Sequence, residues 1–439
     1  MSNILFFIGT IFFSIVLNIV YFVYGNPLIG AFVSAALAAN GLYLLFLLIA
    51  KSKRLPIVII LTFTIVYYIS GLLPITTRRD YLDGLLWSNL IFFTCVSFLF
   101  GMVLGRIRIN KNNRDLIWGG YNLNNVVFNF LFILSLASCL FILKTHGFLI
   151  INPESRFGVS TYWIYFIEFF ITAVIGKAAV YICQIGKIPK KYFLTIFVAS
   201  MMVVVIGYRN QLFILWIGIF LLYLYSKHNY LSSFLIRNYK KIYSLISIGL
   251  VASTLMFYMR VQFSTETILN WSDRVIEHEI VGKDYMMPFL IIHDSSRETM
   301  GVAQLAFERI DQINNYIPLY YFMWMDISTI LPGFSQTATG VLGQVVANST
   351  EMFLTPGSIG GIYISYGTFG ICVIYTLMGC IFQRLWMVFK KNNSPEILTL
   401  LVVMSVYFIQ FTYRGIPKPM YFLALLLVLI MFRLPKFKF

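Results

Sequence analysis

The sequence predicts an all-α, polytopic transmembrane protein of about twelve helices, with one large outer loop that carries short helices of its own. Two observations carry this. Hydrophobic residues fill 59% of the 439 positions and charged residues only 11%, where a soluble domain carries roughly a quarter. The apolar residues are also gathered into runs long enough to cross a bilayer. Phe (42) and Tyr (28) are abundant, as expected where rings line membrane interfaces and cavities.

The runs are taken in chain order. The first, 4–23, lacks a basic leader and an A-x-A cleavage pattern, so it reads as a retained helix. Runs 28–50 and 55–74 are separated by Lys51, Lys53 and Arg54. Run 85–105 stops at Arg106 and Arg108, and 124–143 follows the polar stretch after them. Run 162–183 contains Glu168 and Lys177, which lie on opposite faces of a helix. Runs 193–208 and 211–226 flank a short polar turn, and 242–259 precedes the large loop. Run 358–382 opens on Thr355-Pro356-Gly357-Ser358. The last two, 397–412 and 420–433, flank Tyr413-Arg414-Gly415-Ile416-Pro417-Lys418-Pro419. The whole chain is one integral membrane domain, with no repeat and no separate soluble unit. Cys95, Cys139, Cys183, Cys372 and Cys380 all fall inside apolar runs, as small buried residues do, and no disulfide is expected.

Charge sets the orientation. One set of inter-helix loops holds 20 cations and two acids, and the other holds 12 cations and 14 acids. By the positive-inside rule the first set is cytoplasmic, and so are both termini. The net charge of +16 is thus a topology signal, and no nucleic-acid partner is needed to explain it.

Three outer segments stand out: 144–161, the loop 260–357 and the turn 413–419. A connection of 98 residues is too long for a mere linker and reads as functional. Within it, Ser295-Ser296-Arg297-Glu298 has capping-box spacing. Val302, Leu305, Ala306, Ile310 and Ile313 then recur at helical spacing. An amphipathic helix over about 297–315 is predicted. The aromatic cluster Tyr316, Tyr320, Tyr321, Phe322 and Trp324 follows, suited to the headgroup level. The loop is expected to close as a helical cap over an outer cavity. Deleting 298–316 should then abolish activity while leaving the protein inserted.

Soluble-type catalytic motifs are missing: no phosphate-binding P-loop, no dinucleotide glycine fingerprint, no HExxH and no DxD. His146, His228, His278 and His293 are not paired at ligand spacing. No metal and no cofactor is expected. What remains is a pattern of outer arginines. Arg209 lies in Ile206-Gly207-Tyr208-Arg209-Asn210-Gln211. The flanking runs of 16 residues span roughly 24 Å of a hydrocarbon core of about 30 Å, so the turn should sit below the outer surface. Arg414 is placed the same way by its own short runs. A buried guanidinium needs an anion or a wet cavity, and its fork of donors suits phosphate. Snorkelling to lipid phosphates, or pairing with a loop acid such as Asp326, is the plainer reading. Glu168 stands alone as a carboxylate well inside a run, about two turns from its outer end. An intramembrane acid is a functional candidate, with structural pairing to an arginine as the alternative. The glycines of Gly357 to Gly361, Gly360 among them, permit close approach to a neighbouring helix or a ligand.

These residues resemble the Wzy-type polymerases that make O-antigen, capsule and enterobacterial common antigen. The resemblance rests on an ordered set of pieces across roughly 140–420. They are His146-Gly147-Phe148-Leu149, the Gly207 to Asn210 turn, the Leu-Pro-Gly at 331–333, the run Thr355-Pro356 to Tyr366-Gly367 and Gly370, and Arg414 in the last outer turn. It implies a metal-independent, C-type glycosyltransferase-like enzyme in the bacterial inner (cytoplasmic) membrane. Such an enzyme uses undecaprenyl-pyrophosphate-linked glycans as donor and acceptor, moves the growing chain onto a new repeat unit, and releases undecaprenyl pyrophosphate. A chain-length regulator protein is an implied partner beside the bilayer itself. By this resemblance Arg209 and Arg414 hold pyrophosphate, with Arg156 and Arg260 as further candidates. Tyr208, Gly360 and Tyr363 complete the substrate-binding set. Glu168, His278, His293 and Glu298 all remain open as the base for the acceptor hydroxyl. An O-antigen ligase is the nearest alternative. A flippase is the alternative from the transporter class, though the long single loop and the lack of repeated halves speak against it.

Overall fold

In a computed structural model of the protein, residues 55–72, 82–106, 122–149, 159–207, 209–227, 287–330, 336–350 and 352–433 are described. They form fourteen helices, with no strand among them. In chain order these are α1 (Leu55–Leu72), α2 (Gly84–Leu104), α3 (Asn125–His146), α4 (Thr161–Ile185), α5 (Lys190–Val205), α6 (Arg209–Lys227), α7 (Met287–Glu308), α8 (Ile310–Tyr316), α9 (Leu319–Phe322), α10 (Met325–Ser328), α11 (Ala338–Ala347), α12 (Gly357–Asn392), α13 (Pro395–Arg414) and α14 (Pro419–Arg433). Five of them, α2, α3, α4, α12 and α13, are long and apolar enough to cross a membrane. This is the architecture of a helical membrane protein. Nine of the expected spans coincide with helices. Those at 4–23, 28–50 and 242–259 lie outside the described residues.

Local chemistry explains where helices begin and end. Asp83 caps α2 by accepting from Leu85 N at 2.9 Å and Leu86 N at 3.0 Å. Asn124 caps α3 through Val126 N at 3.0 Å, and its own N–H donates to Met431 O at 3.0 Å, tying α3 to the end of α14. Pro395 opens α13, where its missing N–H costs nothing. Gly415 closes α13 in the left-handed conformation, as Gly186 closes α4.

The packing has a clear centre. Nearly every residue of α13 from Pro395 to Thr412 is buried, with α12, α4, α6, α14 and α1 around it. At the periphery, α3 turns Phe130, Ile133, Leu136 and Leu140 outward, an apolar face of the kind that meets lipid. The tightest pair is α2 on α12. It runs through Gly101-Met102-Val103-Leu104-Gly105, a GxxxG motif whose significance the sequence reading missed. A Cβ on Gly101 would overlap the Thr376 carbonyl, and one on Gly105 would stand 2.7 Å from Cys380 O. Such contact places two backbones at van der Waals distance, which dispersion alone can hold in lipid.

Helix directions sort the charges. Glu168 meets Gln211, and Ile175 meets Gly218 seven residues further on in both helices, so α4 and α6 run parallel. Arg433 Nε donates to Glu396 Oε1 at 2.8 Å, marking the opposite end of the bundle. Arg106, Lys187, Lys190, Lys191, Lys390 and Lys391 collect at that opposite end, whereas Glu168, Asp326, Arg414 and Lys418 share the first. Gln304 Oε1 accepts from Asp83 N at 2.8 Å at the start of α2, whereas Lys227 closes α6. Reporter fusions at Lys227 and Gln304 should therefore show opposite sidedness, with Lys227 cytoplasmic; matching signals from both would refute the arrangement.

Three expectations change. The helix expected from about 297 starts ten residues earlier, at Met287. Ser296 is then an interior, buried residue and no N-cap, because the apolar stretch Met287–Ile292 continues the helical pattern upstream. Nor is α7 only a cap. Met300, Val302, Ala303 and Ala306 are fully buried, and α7 packs along α1 and α12. Deleting 298–316 would remove core, so loss of activity in that variant would not isolate a lid. Finally, α5 and α14 are short, at 16 and 15 residues, but α6 and α13 have 19 and 20. Polar ends such as Asn210 and Arg414 extend these helices past their apolar runs, so span length does not by itself sink both turns.

Long α12 is broken. Gly367 has φ 61° and ψ −161°, a backbone state open to glycine only. Beside the break the aromatic segment docks: Tyr366 OH donates to Tyr320 O at 2.7 Å and accepts from Trp324 Nε1–H. Tyr320, Trp324 and Phe369 remain exposed there.

Candidate functional site

The central helix delivers a pair of cations into one fixed turn. After Arg414 the chain passes through Gly415, at φ 82°, against Gly357 and Gly361 of α12. A Cβ at Gly415 would stand 2.5 Å from the Gly357 carbonyl carbon. Ile416 is buried, and Lys418 emerges just before α14. Arg414 and Lys418 are both partly accessible, and both are close to two buried carboxylates, Glu168 and Asp326.

Each carboxylate is held by a neutral donor. Gln211 Nε2 donates to Glu168 Oε1 at 2.6 Å, from the first turn of α6. Ala338 N–H donates to Asp326 Oδ1 at 2.9 Å, from the start of α11. Tyr413 OH donates to Asn210 Oδ1 at 2.7 Å, locking α13 to α6 one residue from Arg414. The Arg414 guanidinium lies 6.0 Å from the Tyr413 ring centroid, within cation–π range. Among the described residues neither Arg414 nor Lys418 forms a direct ion pair.

The groups outside the spanning helices respond to this crowding. Burial raises the Asp326 carboxyl above its ordinary range, against the pull of Lys418, the Ala338 N–H and Arg414. Burial lowers the Lys418 ammonium, Arg414 lowers it further, and Asp326 and Glu168 oppose both. A ligand bearing negative charge would relieve the Arg414–Lys418 repulsion.

Beneath the cations lies a buried polar layer. Tyr407 of α13 and Tyr421 of α14 have ring centroids 4.8 Å apart, and both are electrostatic neighbours of Glu168. Tyr421 neighbours Arg414 as well. Among the described residues, the Tyr421 hydroxyl, Gln211 Oε1 and Gln410 Nε2 are buried without a hydrogen-bond partner, and the Tyr407 hydroxyl has only the Thr172 side chain beside it.

The structure brings Glu168 and Arg414 together and adds Lys418, Gln211 and Asp326, which the sequence reading did not assign to the site. Asp326 appeared there only as a partner for a structural arginine. The signal for Gln211 was present, since it belongs to the Arg209 turn. The signal for Lys418 was also present, four residues after Arg414. Arg209 opens α6, but its side chain and Tyr208 lie outside the described residues, as do Arg156, Arg260, His278 and Leu331 to Gly333. His293 is placed elsewhere. It is fully buried, and its Nδ1–H donates to Ser70 O at 2.6 Å. One turn on, Arg297 donates to Gly71 O at 3.2 Å. Together they satisfy carbonyls that the end of α1 leaves open, where cations are favoured. Glu298 follows on the same helix. Gly360 and Tyr363 lie on α12 and face α7. A Cβ on Gly360 would overlap Ala303 of α7, and the Tyr363 ring lies 4.5 Å from Phe307.

Fold and site thus define a class, a helical membrane protein with a recessed cluster of two cations and two carboxylates at one end of its bundle. Beyond that class, no protein-family model, no curated protein and no solved structure matches the chain.

Proposed function

We propose that the protein polymerises undecaprenyl-pyrophosphate-linked oligosaccharide repeat units at the outer face of a bacterial cytoplasmic membrane. The observation that carries this reading is the Arg414–Lys418 turn ending the central helix, with no acid among the described residues bonded directly to either cation. A pyrophosphate bears about two or more negative charges, and a guanidinium can bind it with two parallel hydrogen bonds. The lipid tail of such a substrate would lie among the apolar helices while its phosphates reached the recess. Developing charge on the leaving pyrophosphate would be stabilised by the same cations. Asp83, Gln304, Arg414 and Lys418 share the bundle end that carries fewer cations, which fits an outer site under the positive-inside rule. The resemblance to Wzy-type polymerases points the same way.

The test is reconstitution. Purified protein in liposomes with a lipid-linked repeat unit should convert single repeats into a ladder and release undecaprenyl pyrophosphate. In cells, deletion of the gene should leave surface glycan of single-repeat length. Complete loss of surface glycan would instead indicate a flippase, and intact polymer that fails to reach the lipid A core would indicate a ligase.

A further inference from the structure

We propose that Tyr421, Tyr407 and Glu168 form a buried proton relay that takes the acceptor hydroxyl's proton down from the Arg414–Lys418 recess. The proposal rests on the polymerase reading for the identity of the hydroxyl, but not for the existence of the proton site.

Tyr421 sits in the first turn of α14 and has both Arg414 and Glu168 among its electrostatic neighbours. Its ring packs on Tyr407, 4.8 Å between centroids. Tyr407 faces Thr172 and Glu168 of α4, with the Thr172 side chain beside its hydroxyl. Glu168 is fixed by Gln211 through one oxygen only. Among the described residues, the Tyr421 hydroxyl and Gln211 Oε1 are buried with no partner, and the Tyr407 hydroxyl has only the Thr172 side chain beside it. Buried polar groups in native proteins are almost always bonded to protein or to ordered water. Groups of this kind around one carboxyl call for ordered water as a partner, and hydroxyls joined by water conduct protons. The other charged and titratable groups around Glu168 are Tyr165 on its own helix, Tyr413 and Arg414 on α13, Lys418 in the turn, and Asp326 of α10. None of these bonds to Glu168 directly. His293, another candidate base, is committed to the end of α1.

The acceptor O–H bond breaks and its proton passes to the Tyr421 oxygen. The Tyr421 proton passes, through Tyr407 or one water, to the Glu168 carboxylate. The acceptor oxygen forms its bond to the anomeric carbon as the bond to pyrophosphate breaks. The electron pair leaves on the pyrophosphate, held by Arg414 and Lys418. Glu168 afterwards returns the proton to the outer solution.

Infrared spectroscopy of the purified protein in nanodiscs, titrated with pH, tests the proton site without any substrate. A carboxyl C=O band should titrate, vanish in Glu168→Gln and persist in Asp326→Asn. In Tyr407→Phe/Tyr421→Phe its frequency and midpoint should both shift. A band indifferent to Glu168→Gln, or a band unmoved by the paired Phe substitutions, overturns the relay. In the polymerisation assay, Glu168→Gln should lower kcat by about 10²–10⁴ with KM nearly unchanged, and should flatten the acid limb of the pH profile. Retention of that limb in Glu168→Gln overturns the base role. Failure of the polymerase reading would appear differently, as no ladder from the wild-type protein alongside an intact titrating band.

Discussion

Arg414→Ala is expected to reduce polymer formation by about 10²–10³ while leaving the protein in the membrane at wild-type level, the loss typical of removing one preorganised charge-stabilising donor. Arg414→Lys should recover only part of it, because a point charge lacks the planar fork that grips two phosphate oxygens. Lys418→Ala should also be impaired. The double variant Arg414→Ala/Lys418→Ala should lose less than the two single losses combined, since both cations serve one anion. Arg209→Ala and Arg209→Lys complete the set at the start of α6. Lys391→Ala, at the opposite end of the bundle, is the control and should give a normal ladder. The measurement is glycan length on a gel, with protein level in the membrane fraction checked for each variant. Normal ladders from both Arg414→Ala and Arg209→Ala would remove the anion site and leave these arginines a structural role.

The second large effect concerns stability. Gly415 and Gly186 both end helices with φ near the left-handed region, at 82° and 74°. They differ in what surrounds them. A Cβ at Gly186 meets nothing, whereas one at Gly415 collides with the backbone of Gly357, standing 2.8 Å from its nitrogen. Gly186→Ala should therefore cost only the conformational penalty of about 1 kcal/mol. Gly415→Ala adds a backbone clash to that penalty, for which overpacking of about 1–3 kcal/mol or more is expected. The clash also pushes α13 away from α12 and displaces Arg414. Thermal unfolding of both variants in detergent should show a clear drop for Gly415→Ala and a small one for Gly186→Ala. Equal midpoints would mean that the α12–α13 crossing is looser than these contacts indicate.

Much of the helical layout was legible in the sequence. Apolar run length located nine helices, because a spanning helix must be apolar along its whole length. The Arg209 turn and Arg414 were singled out because a cation beside an apolar run is costly and therefore conspicuous. Other features were hidden for definite reasons. The start of α7 was misplaced by a serine whose spacing mimics a cap, while the true helix continues upstream through Met287–Ile292. Gly360 and Tyr363 touch Ala303 and Phe307, partners more than 50 residues away that no local pattern announces. The bond from His293 to Ser70 O at the end of α1 joins residues 223 positions apart and was likewise invisible locally.

By itself, then, the sequence determined a membrane-embedded, all-helical chain, the asymmetry of its charges and the turns where unusual cations sit. These are properties of composition and of short segments, and the bilayer enforces them segment by segment. Only the tertiary structure decided that α13 is the central helix and that Arg414 and Lys418 share a recess with Glu168 and Asp326. It also decided that Tyr407 and Tyr421 lie between α4 and the turn. Those groupings join residues up to 253 positions apart, from Glu168 to Tyr421 of α14. They depend on glycine-to-backbone contacts at Gly101, Gly361 and Gly415, where the absence of a side chain lets helices close upon one another.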